Sequence, residues 1–322
     1  LSSLAAFKEC AMDVITSAGA KKNKAPETQA RVKNRETALF YALVLPAFLL
    51  VTLFIIYPVI NTVFYSFYKW NGFGPLTDFV GLKNLYTLMR DSLFWNALRN
   101  NGIVILFSVC VQLPIAFLLA ILVSRSTSRL TIFFRTVFFL PYILSEIITG
   151  VIWRFIYHPQ FGLLQQVFAK FAPDYSYTGY LADPNTVFVA ILFVIFWKYF
   201  GFHMILYVAG LQGIPHEYYE AAIIDGANPV QAFIHITLPF MKAAIQMSLF
   251  FCIIGSLQVF DVIWSMGQGG PVHAAETAVV YLYKFGIKSS KMGFGSMVAI
   301  VIFVICLAFN VLYQRMINKE ER

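Results

Sequence analysis

Residues 37–68 read TALFYALVLPAFLLVTLFIIYPVINTVFYSFY and contain no Asp, Glu, Lys or Arg. A helix needs about 20 mainly apolar residues to cross the hydrocarbon core of a bilayer. Because this stretch is longer, we expect its helix to tilt or to project beyond the membrane. Pro46 and Pro58 are tolerable there, since neighbouring helices can satisfy the carbonyl groups that they leave free. The stretch predicts a membrane-spanning helix.

Five further stretches have the same apolar character. Residues 100–124 and 292–314 carry no charged side chain. The other three are residues 136–157 with Glu146 and Arg154, 185–213 with Lys198, and 243–265 with Asp261. The chain is 59% hydrophobic and only 12% charged, whereas soluble domains average about 25% charged residues. These features predict an all-α, polytopic membrane protein with six transmembrane helices.

The basic residues indicate how these helices are oriented. The chain has 24 Lys and Arg against 16 Asp and Glu, a net charge of +8. With the N-terminus inside, 14 of the 24 lie in cytoplasmic segments, 8 in outer loops and 2 within spans. Lys and Arg are enriched on the cytoplasmic side of membrane proteins. We therefore expect both termini to be cytoplasmic, and the net charge does not indicate a nucleic-acid partner.

The same pattern predicts three regions along the chain. Residues 1–36 form a basic cytoplasmic tail, 37–316 the transmembrane domain, and 317–322 a short cytoplasmic C-terminal tail. Because the sequence starts with Leu1 rather than Met, whether the first tail is wholly native stays open. The 4 cysteines and 5 histidines show no spacing typical of a metal site, and we expect none.

The segment between the fourth and fifth spans, residues 214–239, reads IPHEYYEAAIIDGANPVQAFIHITLP. It predicts two short helices joined by a turn. Gly226 can take the left-handed conformation that ends a helix, and Asn228 is a good N-cap for the next one. We expect Leu238 and Pro239 to end the second helix, because Pro cannot continue the hydrogen-bond ladder.

Small residues and two acids distinguish this segment from an ordinary loop. Ala221, Ala222 and Gly226 permit close approach of another backbone, and Glu220 and Asp225 flank them. A fixed carboxylate favours an Arg partner. The segment therefore fits a groove on a cytosolic protein. The alternative, a surface helix that only stabilises the bundle, stays open on these residues alone.

These residues also resemble a known family. Glu220, Ala221, Ala222, Gly226, Ile236, Leu238 and Pro239 match, without departure, the pattern E-A-A-x3-G-x9-I-x-L-P. This is the EAA motif of ABC-transporter permeases, and the flanking residues resemble sugar permeases of the maltose and glycerol-phosphate type. Three further stretches agree with that type: residues 94–100 (FWNALRN), 134–142 (FRTVFFLPY) and 269–271 (GGP). The resemblance covers roughly residues 38–316.

The resemblance implies a type I ABC importer permease in a prokaryotic plasma membrane. Residues 214–239 would hold the coupling helix, in which Glu220 meets a basic group of a cytosolic ATPase, Ala221 and Ala222 pack in its groove, and Gly226 makes the turn. Asp225, Ile236, Leu238 and Pro239 would complete this coupling region. One such motif in six helices is half of a permease.

The implied partners are a second, related permease subunit, two cytosolic ATPase subunits, an extracytoplasmic solute-binding protein and a carbohydrate. The sequence has no G-x4-G-K-[ST] motif, so we expect this chain to be non-catalytic and to bind no cofactor. ATP and magnesium would be used by the ATPase subunits.

Polar residues within the spans are candidates for the substrate pathway, because intramembrane polar groups are costly and often functional. Gln258 and Asp261, with Ser265, have the spacing of one helical face. The pathway candidates are Glu146, Lys198, Tyr199, Ser256, Gln258 and Asp261. Helix packing is the alternative for each of them, and for Glu146 a contact with a hydroxyl group or with Lys198.

Three other functions stay open at this point. The chain could belong to an ABC importer of a non-sugar solute. An ion-coupled secondary transporter with Glu146 as a proton relay is less favoured, because that class usually shows paired internal repeats. A membrane-embedded enzyme is least favoured, since the sequence offers no nucleophile and base at chemical spacing.

Overall fold

The computed structural model describes residues 26–124, 128–171 and 178–320. It divides into two units, residues 1–61 and 62–322. Most of the expected N-terminal tail, residues 1–25, and the last two residues lie outside the described part of the chain.

The first unit consists of helix, as far as it is described. Helix α1 (Pro26–Val51) is followed by a π-helical turn, Thr52–Ile56, and by α2 (Tyr57–Ser66), whose first residues belong to this unit. The helix begins before the expected start of the span at residue 37. From Leu39 onward its large apolar side chains are mostly exposed, which is the surface that a lipid-facing helix needs.

The second unit consists of helices joined by non-helical connections, such as residues 67–82 and 178–186. Its α-helices are, in chain order, α3 (Lys83–Arg90), α4 (Ser92–Phe107), α5 (Leu113–Ser124), α6 (Arg129–Ile143), α7 (Glu146–Ile156), α8 (Leu163–Phe171), α9 (Val187–Gln212), α10 (His216–Ile224), α11 (Pro229–Ala232), α12 (Leu238–Phe240), α13 (Lys242–Gln258), α14 (Asp261–Gly267), α15 (Ala278–Tyr281) and α16 (Met292–Glu320). Short π-helical segments, Ser108–Gln112, Phe233–Thr237 and Leu282–Lys288, lie between some of them.

Four of the expected spans are present as long apolar helices among the described residues: Leu39–Ser66, Ser92–Ser124, Val187–Gln212 and Met292–Ile317. The other two are bent pairs, Arg129–Ile143 with Glu146–Ile156 at 99° and Pro229–Phe240 with Lys242–Gln258 at 63°. Counting each bent pair as one span gives 6. The prediction of an all-α polytopic fold is confirmed, but the third span is not one continuous helix.

The fifth span also departs from the expectation. A continuous helix over residues 243–265 is wrong, because α13 ends at Gln258 and α14 starts at Asp261. The carbonyl groups of Ser256 and Leu257 accept hydrogen bonds from Asn101 Nδ2 at 2.7 and 3.3 Å. These carbonyls are thereby satisfied by a side chain, so the helix can end there without leaving them unpaired.

Helix α9 organises the packing of the second unit. It packs against α5, α6 and α13, and many of its side chains are buried. At Gly201 the carbonyl oxygen of Phe138 in α6 comes so close that an added Cβ would lie 1.9 Å from it. Only glycine permits this approach, and it brings α6 and the bend after it against α9.

Two apolar clusters mark the two ends of α9. One contains Val187 and Ile191 with Ile263 and Ala275, and the other contains Tyr207 and Ile214 with Val123 and Met241. At 1.5 Å per residue, the 26 residues of α9 separate these ends by about 39 Å. The segment 214–239 follows one end, and a cavity lined by Tyr199 and His203 from the middle of α9 lies between the two ends.

Candidate functional site

The turn after α10 has the geometry that the glycine predicts. Gly226 has φ +77°, its N–H donates to the Ile223 carbonyl at 3.1 Å, and the Ala227 N–H donates to the Ala222 carbonyl at 2.8 Å. These two bonds form a Schellman motif, which satisfies the last carbonyls of a helix. Glu220, Ala221 and Ala222 are thereby fixed in the last turns of a short, well-ended helix.

The second short helix starts as expected and ends later. Asn228 and Gln231 form a complete capping box, each side chain accepting from the other's backbone N–H at 2.9 and 2.8 Å. Leu238 and Pro239 do not end the helix. Pro239 lies in the first turn of α12, where its missing N–H is tolerated, and the bend of 63° follows at Met241.

The segment 214–239 exposes both charge and apolar surface. The Glu220 side chain is 65% exposed and pairs with His216 Nδ1 at 3.0 Å within the same helix. Ile223 and Ile224 are 72% and 85% exposed. The same segment carries a groove of about 400 Å³, lined by Ala222, Asp225, Gly226 and Ile236 among others. Exposed apolar patches with polar rims mark interaction surfaces.

A cavity of about 530 Å³ lies between α4, α9 and α13. Four of the six pathway candidates line it: Glu146, Tyr199, Ser256 and Gln258. The aromatic rings of Tyr142, Phe202 and Phe251 line it as well. Polar side chains beside aromatic rings are typical of a site for a small polar ligand.

Within this cavity Glu146 is held by α9. The Tyr199 hydroxyl donates to Glu146 Oε1 at 2.5 Å. Glu146 Oε2 makes no hydrogen bond within the part of the chain that the structure describes. The contact is the interhelical one that the sequence left open as an alternative, and the same carboxylate also faces the cavity.

The remaining two pathway candidates lie elsewhere. Lys198 borders a neighbouring depression at the bend between α6 and α7, which shares Tyr142, Glu146 and Tyr199 with the cavity. Lys198 itself is only 2% exposed. Asp261 is the first residue of α14, beyond the end of α13. The expected common helical face of Gln258, Asp261 and Ser265 is wrong, because the chain is not helical at Val259 and Phe260.

Residues 93–320 match the family described as the binding-protein-dependent transport system inner membrane component. This match covers well over half of the chain. The chain belongs to this family. The resemblance that the EAA pattern indicated is thereby confirmed, and the chain is a membrane subunit of a transport system that depends on a binding protein.

Individual relatives agree with the family. The permease chain is 34% identical over 291 residues to the probable ABC transporter permease protein YurN of Bacillus subtilis, covering 89% of this chain and 99% of that protein. It is 30% identical over 276 residues to the arabinooligosaccharides transport system permease protein AraP of the same species, covering 84% and 86%.

A solved structure agrees with the fold. A bacterial ABC transporter involved in the import of the acidic polysaccharide alginate has a chain that matches with a TM-score of 0.76 and 24% identity, covering 89% of this chain and 99% of that one. At this identity the likeness supports the type I importer permease fold alone.

The structure also places polar residues in the permease cavity that the sequence reading did not single out. Ser108, Gln112 and His203 line it, and His203 Nδ1 lies 2.7 Å from the Ser248 hydroxyl. Gln112 Oε1 is buried and has no hydrogen-bond partner among the described residues. Ser108 and Gln112 are four residues apart in a span without charged residues, and this spacing places them on one helical face. A search for charged residues alone does not find them.

Proposed function

We propose that this chain forms half of the translocation pathway of an ATP-driven importer of carbohydrate, and that residues 214–239 couple it to a cytosolic ATPase. The cavity between α4, α9 and α13 carries this proposal. Sugars are bound by hydrogen-bonding groups together with apolar or aromatic surfaces, and transporter sites lie near the middle of the membrane.

Two polar groups in the cavity support a hydroxyl-rich ligand. Gln112 Oε1 is a buried acceptor with no hydrogen-bond partner in the described part of the chain. Such a group costs free energy unless a ligand or water satisfies it. Glu146 offers a second acceptor, since Tyr199 occupies only one of its oxygens. The arabinooligosaccharide relative named above favours carbohydrate over other solutes.

The family and the exposed segment 214–239 support the proposed partners. We expect two ATPase subunits to bind ATP and magnesium, since the sequence has no nucleotide-binding loop of the Walker type. We expect a second, related permease chain to complete the pathway, and a solute-binding protein to deliver the carbohydrate. No metal or cofactor role is proposed for this chain.

Reconstitution tests the substrate. The permease chain is assembled in proteoliposomes with its partner permease, ATPase and binding protein. ATP hydrolysis is then measured with maltotriose, arabinotriose and glycerol, and with methionine as a non-sugar control. Stimulation by one of the carbohydrates and not by methionine supports the proposal. Stimulation by methionine alone would contradict the carbohydrate assignment, and uptake that persists without ATP would contradict the ABC mechanism.

A further inference from the structure

A buried lysine of α9 fastens the bend between α6 and α7. The last carbonyl groups of a helix have no partner within it and carry partial negative charge. Lys198 Nζ donates to three carbonyls at this end, that of Leu144 at 2.6 Å and those of Pro141 and Tyr142 at 3.4 Å. An ammonium group has three donors, so these three carbonyls use its full capacity.

The other side of the bend carries the cavity carboxylate. Glu146 is the first residue of α7, where the N-terminus of the helix favours negative charge. The side chain of Ser145, at the N-cap, makes no capping bond. Tyr199, the residue after Lys198, holds Glu146 through its hydroxyl. Two consecutive residues of α9 thus fasten the two sides of one bend.

Lys198 is placed to act on the cavity only indirectly. Its side chain is 2% exposed and does not line the cavity of about 530 Å³, although it borders the neighbouring depression that Glu146 also borders. We propose that Lys198 is a positioning residue for Glu146: by binding the carbonyl end of α6 it sets the bend of 99° that places the Glu146 carboxylate against the ligand. The inference rests on the proposed function in one respect, that Glu146 contacts the carbohydrate.

Direct binding measures this role separately from transport. The assembled permease–ATPase complex is placed in lipid nanodiscs without the binding protein. The Kd is measured for whichever of maltotriose, arabinotriose and glycerol stimulates the wild-type complex most. Lys198→Gln keeps donors but removes the charge. We expect the Kd to rise about tenfold, the loss that one charge-assisted hydrogen bond typically causes.

Two further variants test whether Lys198 affects binding through Glu146. Lys198→Arg keeps the positive charge and the N–H donors, and we expect its Kd to stay within about threefold of the wild type. If Lys198 acts through Glu146, adding Lys198→Gln to Glu146→Gln changes the Kd by less than about twofold, because coupled residues are not additive. Arg154→Gln, at the other end of α7 and exposed, is the matched control and leaves the Kd unchanged.

Several outcomes would overturn the inference. Multiplying effects of Lys198→Gln and Glu146→Gln would show independent roles. An unchanged Kd in Lys198→Gln would show no role in binding, and failure of both Lys198 variants to assemble would assign the residue to folding. If none of the carbohydrates binds to the wild-type complex or stimulates it, the proposed function is contradicted, and this inference is contradicted with it.

Discussion

Glu220 is held at the surface by one contact within its own helix. Its partner His216 is 84% exposed, and exposed pairs of this kind contribute little to stability. The carboxylate therefore remains available to a basic group on another protein. The expected basic partner is the ATPase, and the role of Glu220 stays a prediction.

Reversing this charge tests the coupling role. We expect Glu220→Lys to abolish ATP-dependent uptake while leaving membrane insertion intact, because it places a cation against a cation in the ATPase groove. Uptake and co-purification of the ATPase are measured together. Glu217→Lys, one turn earlier in α10 and also exposed, is the control. Equal uptake by Glu220→Lys and wild type would contradict the assignment.

Position 226 needs glycine because of its backbone conformation, and not because a side chain would clash there. Its φ is +77°, and an added Cβ would meet nothing within 4 Å. A residue with a side chain pays about 1–3 kcal/mol to hold such a conformation. We expect Gly226→Ala to distort the turn and to lower ATPase-coupled uptake severalfold.

The control for Gly226→Ala is Gly102→Ala in α4. Gly102 also has open space around it, but it is helical without positive φ. Alanine should be neutral or stabilising there. If uptake and ATPase binding respond equally to both substitutions, the turn conformation is not what coupling needs.

Among the helices, the ends could be predicted from the sequence where the capping residues lie close by in the chain. The turn at Gly226 and the capping box at Asn228 follow from the sequence because their partners are at most five residues away. The bends at residues 144–145 and 259–260 could not be predicted in this way. Their partners, Lys198 and Asn101, lie more than fifty residues away along the chain, and no local pattern contains that information.

Asn101 joins two elements at the second break. Its Nδ2 donates to the carbonyls that end α13, and its Oδ1 accepts from the N–H of Ala278, which starts α15, at 2.8 Å. Each buried polar group left without a partner costs about 1–3 kcal/mol. We therefore expect Asn101→Leu to lower the unfolding temperature of the purified complex in detergent.

Asn96→Leu provides the comparison for Asn101→Leu. Asn96 is only partly buried and donates once, to the His273 carbonyl at 3.0 Å. Its loss should lower the unfolding temperature less, since water can reach the freed group. A larger loss at Asn96 than at Asn101 would show that the second break does not depend on Asn101.

Because only 12% of the residues are charged, a small number of polar side chains indicates where the protein functions. The family and the all-α fold could be predicted from the sequence, because the EAA pattern and the apolar stretches are local. The cavity could be predicted only in part. Glu146, Tyr199, Ser256 and Gln258 line it, whereas Asp261 was assigned to a face that the break at Val259 removes.

Orientation in the membrane is the remaining property of the whole molecule that the charges predict. We expect the end of α9 that leads into residues 214–239 to be cytoplasmic, since 14 of 24 basic residues then lie inside. In a background without the 4 native cysteines, Arg129→Cys marks that end and Gln160→Cys the opposite one; both positions are exposed. A membrane-impermeant maleimide should label Gln160→Cys in intact cells and Arg129→Cys only after the membrane is opened. The reverse pattern would place the coupling segment outside the cell, where no cytosolic ATPase could bind it.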